Sequence, residues 1–313
     1  MALITVIGTV FVDIKGYANA KINAETKNVG HVEYAHGGVG RNVAEAIGRA
    51  GGRVDFLSSV DMTAEGKMVK ERMEAIGVRT DRVVTAPQGM GMWLAVLDNE
   101  GELAASVSQK PNFAELERLL LEQGEEIVKN SAALVLEFDL SEAVVSKMFG
   151  WAKQYGVPVY GIVGNLDVLM QRKNMIDSLE LFVCNQAEAE EYLGRSMSSV
   201  EECKMAARDI TAGGLKVAVI TMGGDGSVFY DSRTNAFGYV PVEKVKVADT
   251  TGAGDSFFSG IVFGLCEGFE LERAVKCGTQ LAAWTIASKA NVDPEIQDKV
   301  KDHPLFQKEP VLS

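Results

Sequence analysis

Histidine occurs only three times in 313 residues, at His31, His36 and His303. The three share no common spacing, which excludes a histidine-based metal site or nucleophilic triad. The four cysteines, Cys184, Cys203, Cys266 and Cys277, form no CxxC and no Cys/His cluster with zinc spacing. They read as free buried thiols in a reducing compartment. Basic residues are the minority: 31 Lys and Arg stand against 43 Asp and Glu, a net charge of −12. Nucleic-acid binders need a basic footprint, and none is present. No run of ~18 apolar residues occurs, and the opening MALITVIGTVFVDI lacks a basic n-region, so a soluble, unprocessed, cytoplasmic chain with no membrane partner is expected. Proline is also rare, at seven, whereas glycine reaches 32. Many glycines with few prolines point to tight backbone passages inside a folded body. A hydrophobic content of 47% excludes wholesale disorder. The length allows two domains of ~150 residues or one large α/β unit.

Along the chain, short apolar runs alternate with helical patterns. Strands are expected at 3–8, 54–60, 133–138, 157–163, 179–184 and 217–221, and helices at 67–76, 116–129, 141–155, 187–193 and 200–212. In the segment 40–50, Val43, Ala44, Ile47 and Ala50 fall on one face of a helix. Near-continuous Val/Ile/Leu strands separated by helices predict a mostly parallel central sheet covered on both faces. Two strand-like segments, about 14–36 and 88–110, interrupt that rhythm. The second reads as a hairpin with its turn at Asp98–Gly101. Together they form either a small β lid inserted in a single domain 1–313 or an antiparallel edge of the main sheet; the lid is the simpler solution.

Glycine-rich turns carry the chemistry. The sharpest is Asp249-Thr250-Thr251-Gly252-Ala253-Gly254-Asp255, running straight into an apolar helical pattern. Such a turn aims several backbone N–H groups and a positive helix end at one spot. Gly252, Ala253 and Gly254 leave room for an anion against the backbone. Asp255 could simply cap that helix. Beside a phosphoryl group, the same carboxylate can take a hydroxyl proton while the N–H groups stabilise transferred charge. The second turn is His36-Gly37-Gly38-Val39-Gly40-Arg41-Asn42. It is not a dinucleotide fingerprint, since Val43 occupies the third glycine position and no buried strand precedes it; no GxxxxGK[ST] phosphate loop exists either. It is a ligand-approach surface with Asn42 as donor and acceptor, or a plain helix entry. The third, Thr221 to Gly226 after a strand, lines a ligand or turns a hairpin. Asn185 and Glu188 have the spacing of a capping box. Glu137 and Asp139 end a strand where a site could use them.

These turns, with Asp13 early and Asp255 late, resemble the ribokinase-like (phosphofructokinase B type) family of carbohydrate and nucleoside kinases over essentially the whole chain. DTTGAGDSF is the most specific string, and GGVGRN and TMGGDG support it. Within the family, IGTVFVDIKGY, GGVGRN and LDNEGE look most like pseudouridine kinases. The resemblance implies a ribokinase-like α/β fold with a lid. It implies ATP-dependent phosphorylation of the primary hydroxyl of a ribosyl compound, pseudouridine first, with a ribose or ketohexose kinase or a non-catalytic nucleoside binder as alternatives. Asp255 would be the base, and Gly252, Ala253 and Gly254 the anion hole. Asp13, Gly37, Gly38, Gly40, Asn42 and Glu137 would hold the acceptor. Asn185 and Glu188 would serve the Mg²⁺–phosphate end, and Thr221, Gly223 and Gly226 the nucleotide. Asp249 and Thr251 match a monovalent-cation loop, with K⁺ the ion in question. The lid would make a homodimer. Phe11 stands where the family usually has Asn, and Val163-Gly164-Asn165 where it has Asp-Pro.

Overall fold

The computed structural model describes residues 2–308 except Val163 and Asn165. Its strands are β1 (Leu3–Ile7), β2 (Phe11–Ala18), β3 (Gly30–Gly37), β4 (Arg53–Leu57), β5 (Ser59–Val60), β6 (Val84–Thr85), β7 (Gly91–Leu97), β8 (Leu103–Gln109), β9 (Ala133–Glu137), β10 (Val159–Ile162), β11 (Leu181–Asn185), β12 (Val217–Thr221), β13 (Ser227–Asp231) and β14 (Ala236–Val240). Its helices are α1 (Val39–Arg49), α2 (Ala64–Ala75), α3 (Ala114–Lys129), α4 (Glu142–Tyr155), α5 (Leu166–Gln171), α6 (Lys173–Ile176), α7 (Gln186–Leu193), α8 (Val200–Ile210), α9 (Ala253–Cys266), α10 (Leu271–Ile286) and α11 (Ile296–Asp302).

Among these residues, eight strands form the main sheet in the order β14-β13-β12-β11-β10-β9-β1-β4. All its pairs are parallel except β12–β13 and β13–β14 at one edge. Side-chain alternation explains how both faces are covered. Leu134 and Leu136 point into a layer with Leu116 and Leu120 of α3, Val145 of α4 and Ala206 of α8. Ala133 and Val135 point into the opposite layer with Val43 and Ile47 of α1, Val69 of α2 and Ile261 of α9. The α/β expectation holds. The expected strand 54–60 is broken: its last two residues leave the main sheet and pair with β6 as a separate two-stranded ribbon. The end of the expected strand 157–163 lies outside the described residues.

The two interrupting segments meet in a second, four-stranded sheet, β3-β2-β7-β8, and not at an edge of the first. Register fixes its faces. Asp13 pairs with Ala35 and Trp93, and Trp93 pairs with Ser108, so these share one face. Ile14 pairs with Tyr34 and Leu94, and Leu94 with Val107, so an apolar row runs across the other.

Helix α1 departs from its amphipathic pattern. It is buried from Gly40 to Arg49, polar residues included. Glu45 accepts from Arg41 Nη1 at 2.5 Å, Arg49 Nε at 2.8 Å and Arg72 Nη2 at 2.7 Å. Three guanidinium groups around one carboxylate let a helix with a charged side sit inside the protein.

Candidate active site

Asp255 lies in the first turn of α9, whose N-cap is Gly252 with φ +76°. A side chain there would strike the carbonyl of Asn291, so only glycine permits this turn. Gly254 has open space where a Cβ would be. Asn42, in the first turn of α1, donates from Nδ2 to Asp255 Oδ2 at 2.6 Å. The side chain of Arg41 in turn donates to Asn42 Oδ1. Burial pushes the Asp255 carboxyl up to about 6; the Asn42 hydrogen bond and the Arg41 charge act the other way. A carboxylate tuned to that range can accept a proton near neutrality.

Three cavities converge on this turn. The largest, a cleft of about 670 Å³, is lined by Gly252, Asp255, Asn42, Asp13, Gly37 and Gly38, and extends to Lys110, Asp139 and Arg172. A second, of about 250 Å³, holds Asp255, Gly254, Asn185, Glu188 and Thr221. A third, about 170 Å³ and mainly apolar, is bounded by Thr221, Gly223, Gly226, Ala253, Ala282 and Ile286. Asp255 belongs to the first two, Gly254 and Thr221 to the last two. One continuous path therefore joins a polar cleft to an apolar slot, with the Gly252–Asp255 turn at the middle.

The predicted residues distribute along this path. Asp13 projects from β2 into the cleft, and desolvation raises its carboxyl against the lowering charges of Lys15, Arg41 and His36. Gly37 packs so closely on Asp13 that a Cβ would lie 2.5 Å from Oδ2. Gly38, at φ +94°, lies against the Thr9–Phe11 backbone, where a Cβ would come within 2.5 Å of the Thr9 carbonyl. Gly40 serves packing against Gly8 and does not line the cleft. Glu137, at the carboxyl end of β9, is 2% exposed. Its carboxylate accepts from Thr9 N at 2.6 Å, Thr9 Oγ1 at 2.9 Å and Gly40 N at 3.1 Å. Burial raises its pKa and the neighbouring charge of Asp139 raises it further, while the Thr9 bonds oppose the shift. Glu137 thus ties the β1 turn to the start of α1 while also lining the cleft.

Asn185 and Glu188 form a complete capping box, Glu188 N to Asn185 Oδ1 at 2.9 Å and Asn185 N to Glu188 Oε2 at 2.8 Å, while also facing the middle cavity. Thr221 to Gly226 turn a hairpin, β12 into antiparallel β13, and line the apolar slot as they do so. Asp249 and Thr251 share an exposed turn in which Thr251 N and Oγ1 donate to Asp249 Oδ1 at 2.9 and 2.8 Å. Phe11 lines the cleft and packs on Gly91. Among the described residues, no group of three or more His, Cys, Asp and Glu could hold a metal ion, and no helix is long and apolar enough to cross a membrane. His36 pairs with Glu65 at 2.7 Å, as a structural contact. Thr9, Lys110 and Arg172 enter the site without any sequence motif; Thr9 alone carries a signal, its place just past the carboxyl end of β1.

A model of the pfkB family carbohydrate kinases matches residues 1–297. Guanosine-inosine kinase of Exiguobacterium acetylicum is 37% identical over 303 residues, covering 96% of this chain and 100% of that protein. Pseudouridine kinase of Escherichia coli (strain K12) is 24% identical over 294 residues, 94% of this chain and 93% of its own. Among solved structures, Arabidopsis thaliana ribokinase complexed with ribose and ATP superposes with a TM-score of 0.81 at 19% identity, over 96% of this chain and 99% of that one.

Proposed function

The chain belongs to the pfkB family of carbohydrate kinases, and on that premise we propose that it is an ATP-dependent ribonucleoside kinase whose preferred acceptors are guanosine and inosine. The observation that carries this is the 37% identity to a guanosine-inosine kinase along that protein's whole length. Pseudouridine, which the short sequence strings favour, stands second, its kinase being 24% identical.

The acceptor's primary 5′-hydroxyl sits against Asp255. As the new O–P bond forms and the bond to ADP breaks, Asp255 takes the hydroxyl proton. Asn42 holds the receiving carboxylate in place. The N–H groups of the Gly252–Gly254 turn and the end of α9 stabilise charge on the moving phosphoryl group. Asp13 receives sugar hydroxyls from above. The adenine of ATP fits the apolar slot between the Gly223–Gly226 turn and Ala282–Ile286. The capping box engages Asn185 Oδ1 and Glu188 Oε2 and leaves the other Glu188 carboxylate oxygen at the middle cavity, a hard donor that fits a hydrated Mg²⁺ arriving with the phosphates; Mg²⁺ would supply charge neutralisation there. Asp249 Oδ1 is engaged by its own turn, and no step here is routed through K⁺. The four-stranded sheet acts as the lid, which excludes water that would otherwise hydrolyse ATP. The apolar row on its outer face, with Tyr34 65%, Leu94 41% and Val107 67% exposed, supports a homodimer through the lid.

Release of ADP measured with guanosine, inosine, adenosine, pseudouridine, ribose and fructose tests the reading. The highest kcat/KM is expected for guanosine or inosine. Turnover of ribose equal to that of any nucleoside makes the protein a sugar kinase. Nucleoside binding with no acceptor phosphorylated makes it a binder on the same fold.

A further inference from the structure

The large cleft does not end at the sugar-sized space around Asp255. The Glu137 carboxyl lines it, and the Asp255 and Asp139 charges both act on that carboxyl. The same cleft is lined by Asp139, Lys110 and Arg172; Asp139 takes a hydrogen bond from Glu137 and feels the charges of Lys110 and Arg172. Asp139 lies in the turn two residues past the carboxyl end of β9. Arg172 is anchored, its Nη1 donating to the carbonyls of Phe138 at 2.5 Å and Leu140 at 2.9 Å. Phe113, Pro111 and Val168 give this end of the cleft apolar walls.

We infer that this remote end is a base-reading subsite for 6-oxopurines, in which Asp139 accepts from the ring N1–H and Arg172 and Lys110 donate to the ring oxygen. The inference rests on the ribonucleoside-kinase reading above. A sugar alone has hydroxyl groups to satisfy and no use for apolar walls flanking an acid and two bases. A purine has flat apolar faces and an edge of alternating donors and acceptors. Guanine and hypoxanthine both present an N–H beside a carbonyl oxygen, which complements a carboxylate beside a cation; guanine adds an amino group that the same carboxylate can accept. Adenine presents the reverse, a bare ring nitrogen beside an amino donor. Its nitrogen lone pair would face the Asp139 oxygens, and its amino group would face two cations. A site built to bind an N–H rejects the analogue that lacks it, because its own buried polar groups are left unpaired.

Two measurements decide it. With the wild-type protein, 1-methylinosine, whose N1 carries no hydrogen, should show kcat/KM about 10- to 100-fold below inosine, with KM carrying most of the change. In Asp139→Asn, whose amide can both donate and accept, the preference for guanosine over adenosine should fall at least about tenfold. If 1-methylinosine serves as well as inosine, or if Asp139→Asn lowers guanosine, adenosine and ribose in the same proportion, Asp139 reads no base and the inference is overturned. The 1-methylinosine comparison stands by itself if the variant does not fold. Failure of the parent reading looks different: wild-type protein would phosphorylate ribose and no nucleoside at all, which overturns both.

Discussion

On the proposed reading, the chemistry concentrates in Asp255, whose pKa burial raises to about 6. Because the ionised form accepts the proton, kcat/KM should rise with pH through about 6 and level off above it. A profile flat between pH 5 and 8 would remove Asp255 as base. Asp255→Asn should keep acceptor affinity and lower kcat by ~10²–10⁴-fold in the ADP-release assay. The same residue has a stability signature of opposite sense. An acid whose folded pKa exceeds its unfolded value near 3.8 holds an extra proton in the native state between those values. It therefore costs the fold stability as pH rises from about 4 to 6, by at most about 3 kcal/mol and less because one side of the residue is open to the cleft. Asp255→Asn should accordingly raise Tm at pH 8 and make no difference near pH 3. The place of Asp255 in a helix-opening glycine turn was legible in the sequence, because a Gly-Ala-Gly string feeds straight into an apolar helical pattern. Glu137 was legible as a residue at a strand end, but its fate was not: two Thr9 donors and the Gly40 N–H arrive from elements more than ninety residues away.

Helix α1 shows where pattern reading stops. Val43, Ala44 and Ile47 announced a buried face, and they are buried. Arg41, Glu45 and Arg49 lie off that apolar face, yet Arg41 and Glu45 are 1% and 0% exposed. Hydrophobic periodicity records which residues avoid water; it has no term for charges that neutralise each other inside. Removing the shared carboxylate tests the arrangement. Glu45→Gln leaves three guanidinium groups around a neutral amide, two of them on the same helix, and should lower unfolding free energy by about 3–5 kcal/mol in urea titrations. A loss below 1 kcal/mol would mean the cations rearrange into solvent. Elements defined by local needs were the readable ones: the hairpin β7–β8 with Gly101 at φ +83°, and the capping box at Asn185 and Glu188. Lys110 and Arg172 carry no such mark, because a loop and the turn between α5 and α6 bring them to the cleft.

At the scale of the molecule, two sheets divide the labour. The main sheet positions the turns, and the smaller one covers the cleft with Asp13 on its inner face and apolar side chains on its outer face. Strand-like segments at 14–36 and 88–110 were visible as interruptions of the α/β rhythm; that they pair with each other is a long-range choice that local pattern does not encode. If the outer face joins two copies, light scattering at micromolar concentration should give twice the chain mass, and the double variant Leu94→Glu, Val107→Lys should halve it while leaving the far-ultraviolet circular dichroism intact. A wild-type mass of one chain would dismiss the homodimer. The hydrogen bond between Asn42 and Asp255 spans 213 positions of the chain. On the proposed reading, a growing polypeptide on the ribosome therefore has no means of spending ATP until the 213 residues that follow Asn42 have also been made.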